Sequence, residues 1–454
     1  MTDTAHRLAT GPVGGLLWRT CAQTTASVGV YGVYALTNAW FVGQGVGDRA
    51  MAAVNLTAPL LLFLGAVATT VGAGGASLVS RALGAGDPAA AARATGNAFT
   101  LFWCTALTTT VLGIAFLDPL LALLGARGAL HGDARAYALI LLCGALVSTG
   151  FSSLVRAEGA IGFSTLLWVT AVLVQIALDP LLILGFGMGV EGAALGTVGG
   201  QAVGTAMSLW FFFARPGRPY RLGPGALRPH AATLRALLGL GLPSFVAGIG
   251  VTLLALLVNT TLAATGALTA LAAYAVCARV QTFAMMPHTG MGQGLQPLVG
   301  YNAGRGLTAR VTRARTLALR ACLLYGIAAA AVLALLAGPL TAAFLNDPAT
   351  EGEAAHALRI IALGLTVAGV APLTAGYFQA LGHPGPAYLL TLGTLFVVKA
   401  PLVVVLGHTS GTDGVWIALS AGELLSAGAA LLLLRRTGAR AAASPALPER
   451  AVSR

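Results

Sequence analysis

Twelve long apolar segments follow one another along this chain, and they constrain it more than any other feature. They span roughly residues 14–43, 51–80, 94–117, 135–155, 162–186, 191–214, 234–262, 269–299, 316–337, 357–381, 387–407 and 414–434. About 20 apolar residues suffice to cross a bilayer as a helix, and several segments are long enough to tilt or project beyond it. Stretches such as Ala328 to Leu336 are apolar on every face, whereas membrane β-strands alternate at period two. The fold class is therefore all-α, integral to the membrane, with twelve transmembrane helices. Only 9% of the 454 residues are charged, against about a quarter in soluble proteins, which excludes disorder and argues against a soluble enzyme. The first segment is too long for a signal-peptide core and is expected to stay as a spanning helix.

Of the 26 basic residues, twenty fall in the loops, helix ends and tails of one side if the N-terminus is cytoplasmic. Three (Arg49, Arg127 and Arg135) fall on the other. This positive-inside bias places both termini in the cytoplasm of a multi-pass protein of the cell membrane. It also accounts for the net charge of +12 without nucleic-acid binding. The five cysteines show no pair spacing and read as small buried hydrophobes.

The chain repeats itself. Shifted by 220 residues, Gly72–Gly86 overlays Gly292–Gly306 with Gly72, Gly74, Leu78, Val79, Gly84 and Gly86 identical. Shifts of 221 and 223 align Asp179-Pro180-Leu181 with Ala400-Pro401-Leu402, and Arg156-Ala-Glu-Gly159 with Gln379-Ala-Leu-Gly382. Six helices per repeat is an even number, so the halves enter from the same side and are related by an axis along the membrane normal. The domains are then an N-lobe (1–215, helices 1–6), an exposed cytoplasmic linker (216–231), a C-lobe (232–436, helices 7–12) and a disordered cytoplasmic tail (437–454).

Two acids lie in the interior of the apolar segments, Asp179 and Glu423. An ionised carboxylate in hydrocarbon is costly, so such groups usually face water or a partner. Burial raises a carboxyl pKa toward neutrality and makes it a usable proton carrier. Pro180 removes a backbone donor next to Asp179, and Gln175 stands one turn earlier on the same face. Glu423 is expected to bind a cationic substrate or to pair with Arg359 or Lys399. Gln23, Tyr31, Tyr34 and Asn38 form one semi-polar stripe on the first helix. It serves either a ligand cavity or hydrogen bonding within the lobe. His288, Gln281 and Gln293 add polar groups on the eighth segment. His288 either titrates or is a hydrogen-bonded bundle residue. Arg279 needs a cavity or a partner. No P-loop and no metal-ligand spacing occurs, so no cofactor, structural metal or catalytic role is expected.

Several motifs resemble the MATE (multidrug and toxic compound extrusion) transporters of the bacterial branch. They are Trp40-Phe-Val-Gly43, Ala52-Ala-Val-Asn55, Gly74–Gly84, Arg156-Ala-Glu-Gly159, Leu178-Asp-Pro-Leu181, Gly189–Thr197, Gly292–Asn302, Gly376–Gly382 and Gly414-Val-Trp416. The resemblance implies two six-helix lobes in a V around a central cavity. It implies alternating access and an antiporter that exports amphiphilic, often cationic drugs, toxins or secondary metabolites against H+ or Na+. It also places an N-lobe cation or proton site on Asp179, Asn38, Gln175 and Thr197. Asn38 stands where an Asp is common in relatives and Gln175 where an Asn is common, which weighs against mechanisms needing two carboxylates. The expected cavity residues are Gln23, Tyr31, Tyr34, Gln281, His288, Gln293 and Glu423. The expected partners are the small-molecule substrate and membrane lipids, with the protein a monomer. A flippase for lipid-linked precursors is the alternative, disfavoured by twelve spans and few intramembrane cations. A membrane enzyme or channel is a third.

Overall fold

The structure, a computed structural model, describes residues 8–148, 151–266, 268–345 and 347–443; the side chains of Tyr31, Tyr34 and Asn38 lie outside what it describes. The described residues are helical, with no strand among them. The long helices are α1 (Val13–Val46), α2 (Asp48–Gly84), α3 (Pro88–Ala115), α4 (Ala129–Gly144), α5 (Ile161–Pro180), α6 (Gly189–Leu209), α7 (Ala231–Ala264), α8 (Leu268–Gly304), α9 (Thr308–Leu335) and α10 (Pro348–Leu365). Two more, α11 (384–410) and α12 (412–443), are divided at Gly411, whose φ of 61° breaks an otherwise continuous helix. A second helical piece, Phe151–Ala157, follows α4, and another, Val370–Leu381, follows α10.

Eight helical stretches of the described residues are apolar enough to cross a membrane by length and hydropathy alone. The long helices α1, α6 and α8, richer in glycine and polar residues, and the division at Gly411 bring the count to twelve.

Four helices begin earlier than their apolar cores. α3 starts at Pro88, where the Asp87 carboxylate accepts from the Ala90 N–H at 2.8 Å; α10 starts at Pro348, where Asp347 accepts from the Thr350 N–H at 2.9 Å. An N-cap acid followed by proline at the first helical position is a start signal independent of hydropathy. α4 and α9 likewise carry polar first turns. At the other end of the chain, α12 continues to Ala443, past the point where disorder was expected; residues 444–454 lie outside the described set.

Each lobe has its own core. In the N-lobe, Phe99 stacks on Phe151 at 4.1 Å and meets Phe212 edge-on at 5.2 Å. In the C-lobe, fully buried Trp416 stacks on Tyr274, and its indole N–H donates to Glu353. Cys21, Cys277 and Cys322 are buried, but Cys104 and Cys143 are exposed. The expectation of burial fails there because an outward, lipid-facing position is as apolar as a core.

The lobes meet along α1 with α8 and along α2 with α7 and α8. Glycines make this approach possible. A Cβ on Gly74 would lie 2.1 Å from the Leu237 carbonyl oxygen, and one on Gly241 2.1 Å from that of Thr70. The repeat's symmetry is visible here: Gly74 sits against the Gly241 backbone nitrogen, while its counterpart Gly294 sits against that of Cys21, 220 residues before Gly241. Gly86 and Gly306 both take φ near +75° (75° and 76°) and close α2 and α8 with matching turns, a conformation that glycine adopts without steric penalty. These inter-lobe contacts run from the arginine-bearing end of the helices as far as Phe63 against Phe245, at 6.0 Å.

Candidate functional site

Asp179 is fully buried between α5 and α6. The two helices come this close because α6 presents glycines to α5. A Cβ on Gly196 would lie 2.1 Å from Asp179 Oδ1, and one on Gly200 2.5 Å from the Ala171 carbonyl oxygen. α6 therefore grips α5 backbone to backbone, with the carboxylate in the glycine notch. One turn before Asp179, Gln175 donates through Nε2 to Thr197 Oγ1 at 2.7 Å, and Thr197 Oγ1 also bonds the Ala193 carbonyl at 3.1 Å. Gln175 and Thr197 are both buried. After Pro180 the α-helical pattern gives way to a π-helical turn, Leu181–Gly185. π-turns of this kind frequently mark functional positions. The Gln175 amide and the Thr197 hydroxyl of α6 thus meet one helical turn before a buried carboxylate, and the π-helical turn follows it. This donor set is hard and oxygen-rich, suited to a proton or a small cation rather than a soft metal. The fourth residue expected here, Asn38, lies outside the described side chains.

The other predicted residues are scattered. Gln23 lines a recess of about 250 Å³ at the arginine-bearing end of the N-lobe, with Arg19, Thr20, Gly159 to Phe163 and Arg215. This places it between α1 and the start of α5. Gln281 and Gln293 are half-buried on α8. His288 is inside the C-lobe rather than on a cavity wall, with Tyr325 edge-on to its ring at 4.9 Å. Glu423 is held by Lys399, Nζ to Oε1 2.6 Å, so α11 and α12 are bridged by an ion pair; this resolves which of its two basic neighbours it takes. Arg279 is exposed on α8.

One buried carboxylate escaped the hydropathy reading. Glu158, at a turn outside the apolar runs, is 5% exposed overall. It forms an ion pair with Arg218 of the linker and accepts from the Tyr220 hydroxyl. Tyr220 also bonds Thr95 at 2.6 Å. Arg218 further donates to the Phe212 carbonyl and lies over the Phe212 and Tyr220 rings. Burial, reinforced by the Glu158 charge, holds the Tyr220 phenol well above its ordinary pKa of 10.0. Further along, Asn97 Nδ2 donates to the carbonyls of Ala226 and Arg228, Thr100 to that of Leu227, and Asn97 Oδ1 accepts from the His230 N–H. The linker, most of whose residues are exposed, is strapped onto α3 through its carbonyls and Tyr220, and onto Glu158 through Arg218. The spacing from Arg156-Ala-Glu-Gly159 to Arg218 gave no signal of this; the aromatic Tyr220 within an otherwise Pro/Gly/Arg-rich stretch was the available hint.

Paired helical bundles that grip through reciprocal glycines, with a carboxylate sealed inside one of them, define a duplicated polytopic membrane protein. The MatE family model matches residues 26–181 and 243–405, and the chain belongs to the MatE family. It is similar to the multidrug export protein MepA of Staphylococcus aureus (strain MRSA252), 27% identical over 409 residues covering 88% of this chain and 89% of that protein. MepA of Staphylococcus haemolyticus is 26% identical over 408 residues, with the same coverage. Among solved structures, a crystal structure of MATE in the straight conformation superimposes with a TM-score of 0.92 at 22% identity, over 98% of this chain and 100% of that one. An outward-facing multidrug resistance MATE family transporter of the MOP superfamily gives 0.92 at 23% identity, with the same coverage. These structures establish a shared fold.

Proposed function

We propose that this chain is a cation-coupled exporter of amphiphilic, often cationic small molecules that works by alternating access of its two lobes, rather than an enzyme. The observation that carries the reading is the fully buried Asp179 beside the Gln175–Thr197 hydrogen bond, on the helix that unwinds after Pro180. Membership of the MatE family and similarity to proteins named for multidrug export support it. In this reading H+ or Na+ enters the N-lobe at Asp179, with Gln175, Thr197 and Asn38 as neighbouring donors. Loading the carboxylate alters the packing of α1, α5 and α6, which weakens substrate binding and drives the rocking step. A single exchangeable carboxylate in the N-lobe carries one charge per cycle. The arginine-bearing end is the cytoplasmic gate, with both termini on that side of a bacterial inner membrane and the protein acting as a monomer among lipids. Gln23, Tyr31, Tyr34, Gln281 and Gln293 remain the polar groups offered to a ligand. Residues 1–215 and 232–436 are the rocking bodies, and the linker moves with the first.

The test is dye export from proteoliposomes under an imposed pH or Na+ gradient. Wild-type protein exports and Asp179→Asn does not. Undiminished gradient-driven export by Asp179→Asn removes Asp179 from the mechanism.

A further inference from the structure

His288 stands out among the buried polar groups of the C-lobe. Its residue is 4% exposed, and neither ring nitrogen reaches a hydrogen-bond partner among the described residues. Burying an imidazole whose N–H and lone pair are both unmet carries a penalty of about 1–3 kcal/mol per group, and a group of this kind needs an explanation. The surroundings are built to admit the ring. A Cβ on Gly369 would lie 1.9 Å from His288 Cδ2 and 2.6 Å from Cys322 Sγ, so only a glycine leaves room there. Tyr325 meets the ring edge-on, and its hydroxyl donates to the Ala284 carbonyl, one turn before His288, at 2.9 Å. The carbonyls of Cys322 and Ala284 lie nearby, beyond hydrogen-bond reach of the ring nitrogens. A neutral ring can donate from one nitrogen only; two carbonyls are both answered by the imidazolium, which donates from each.

Both flanking elements are interrupted at this level. Pro287, immediately before His288, has no N–H to continue the α8 ladder. The helix α10 gives way to turns over 366–369 before Val370–Leu381 resumes, with Val367, Ala368 and Val370 bonded three residues back. Interrupted helices around a buried titratable group are the usual architecture of an ion site inside a membrane.

We propose that His288 is a proton-binding site of the C-lobe, distinct from Asp179, in which proton uptake rearranges the α8–α9 contact against the turn at 366–369. The lone-pair nitrogen takes a proton from water on one side of the membrane. The resulting imidazolium donates to the two carbonyls, and the same proton is released to water on the other side. The titratable groups packed on the ring are Cys322 and Tyr325 of α9; the 366–369 turn contributes Gly369, and no carboxylate or arginine is recorded against the ring among the described residues. The proposal rests on the exporter reading only for the use made of the proton, not for its binding.

Two measurements on the full chain in lipid nanodiscs and proteoliposomes decide it. The first is NMR of protein labelled with 13C,15N-histidine, with the His288 signals assigned by their loss in His288→Gln. They are expected to pass from the neutral to the charged pattern between about pH 5 and 8; a ring that stays neutral across that window overturns the proposal. The second is the pH dependence of export. His288→Gln, which keeps a polar side chain of similar reach, is expected to shift the profile by at least about half a pH unit. A His288→Gln profile that overlays the wild type, with Asp179→Asn inactive, overturns the proposal and leaves the exporter reading intact. If wild-type protein exports under no gradient, that reading falls, and the ring titration still decides the site.

Discussion

Gly84 of α2 and Gly304 of α8 hold each other's helix. A Cβ on Gly84 would lie 2.0 Å from the Tyr301 carbonyl oxygen, and a Cβ on Gly304 2.1 Å from that of Arg81. Both relations are separated by the repeat length of 220 residues, so one contact is the image of the other under the lobe-to-lobe symmetry. Because the space is closed by backbone, a methyl group at either position must push the helices apart. Gly304→Ala and Gly84→Ala are each expected to destabilise the closed arginine-bearing end by about 1–3 kcal/mol, the range for overpacking a tight contact. Spin-label distances across that end check this. They lengthen in both variants to similar extents; an effect confined to one variant contradicts the symmetry.

Gly196 tests the Asp179 notch without touching the carboxylate chemically. Its absent Cβ leaves the space that Oδ1 occupies. Gly196→Ala is expected to reduce gradient-driven export at least tenfold, equivalent to about 1.4 kcal/mol, while the protein still purifies as a folded species. Export assays alongside thermal melting in detergent separate the two effects.

Glu158 and Arg218 pair with side chains only 3% and 5% exposed. Removing one partner of a buried pair leaves an uncompensated charge and is destabilising by about 3–5 kcal/mol. Glu158→Gln is therefore expected to lower the melting temperature and to expose the linker to protease. Limited proteolysis between Arg215 and His230 reads the second effect directly.

Tyr220 gives the strap a pH dependence. Its folded-state pKa is raised above the ordinary 10.0 by burial and by Glu158. The stabilisation is fully present below that ordinary value. Above it the unfolded chain loses its phenolic proton first, so stability falls as pH rises toward the folded-state pKa. The melting temperature of wild type minus that of Tyr220→Phe should be constant from neutral pH to about 9 and shrink above 10.

Lys399 and Glu423 are held at 2.6 Å, with side chains 21% and 16% exposed. Lys399→Met should destabilise the C-lobe by leaving Glu423 unpaired. Lys399→Met combined with Glu423→Leu should recover most of that loss, since two apolar residues satisfy each other where one charge does not. A double-mutant cycle in thermal melting measures the coupling.

The twelve helices and their pairing into repeats were legible because lipid demands long apolar runs and because the glycines of Gly72–Gly86 and Gly292–Gly306 are needed wherever backbones touch. Asp179 was legible for the same reason, as a charge where charges are expensive, and Gln175 followed from one-turn spacing. Glu158 was not, because its burial comes from a loop folding over it, and hydropathy sees only the loop. The strapping of the linker by Asn97 and Thr100 was hidden likewise; these bonds join residues about 130 positions apart, a relation that no local pattern encodes. The early starts of α3 and α10 were written in Asp87-Pro88 and Asp347-Pro348, cap signals that an apolarity count passes over.

The central claim is that the two lobes rock about their glycine-lined contact in response to the state of Asp179. It is tested most directly by spin-label distances in a cysteine-free background with two label pairs. One pair, Ala85→Cys with Arg305→Cys, sits at the arginine-bearing end; the other, Gly132→Cys with Gly352→Cys, sits near the starts of α4 and α10 at the opposite end. Lowering the pH, or replacing Asp179 with Asn, should lengthen one distance while shortening the other. Distances that do not respond at either end, in protein that still exports under the same gradient, would contradict the account.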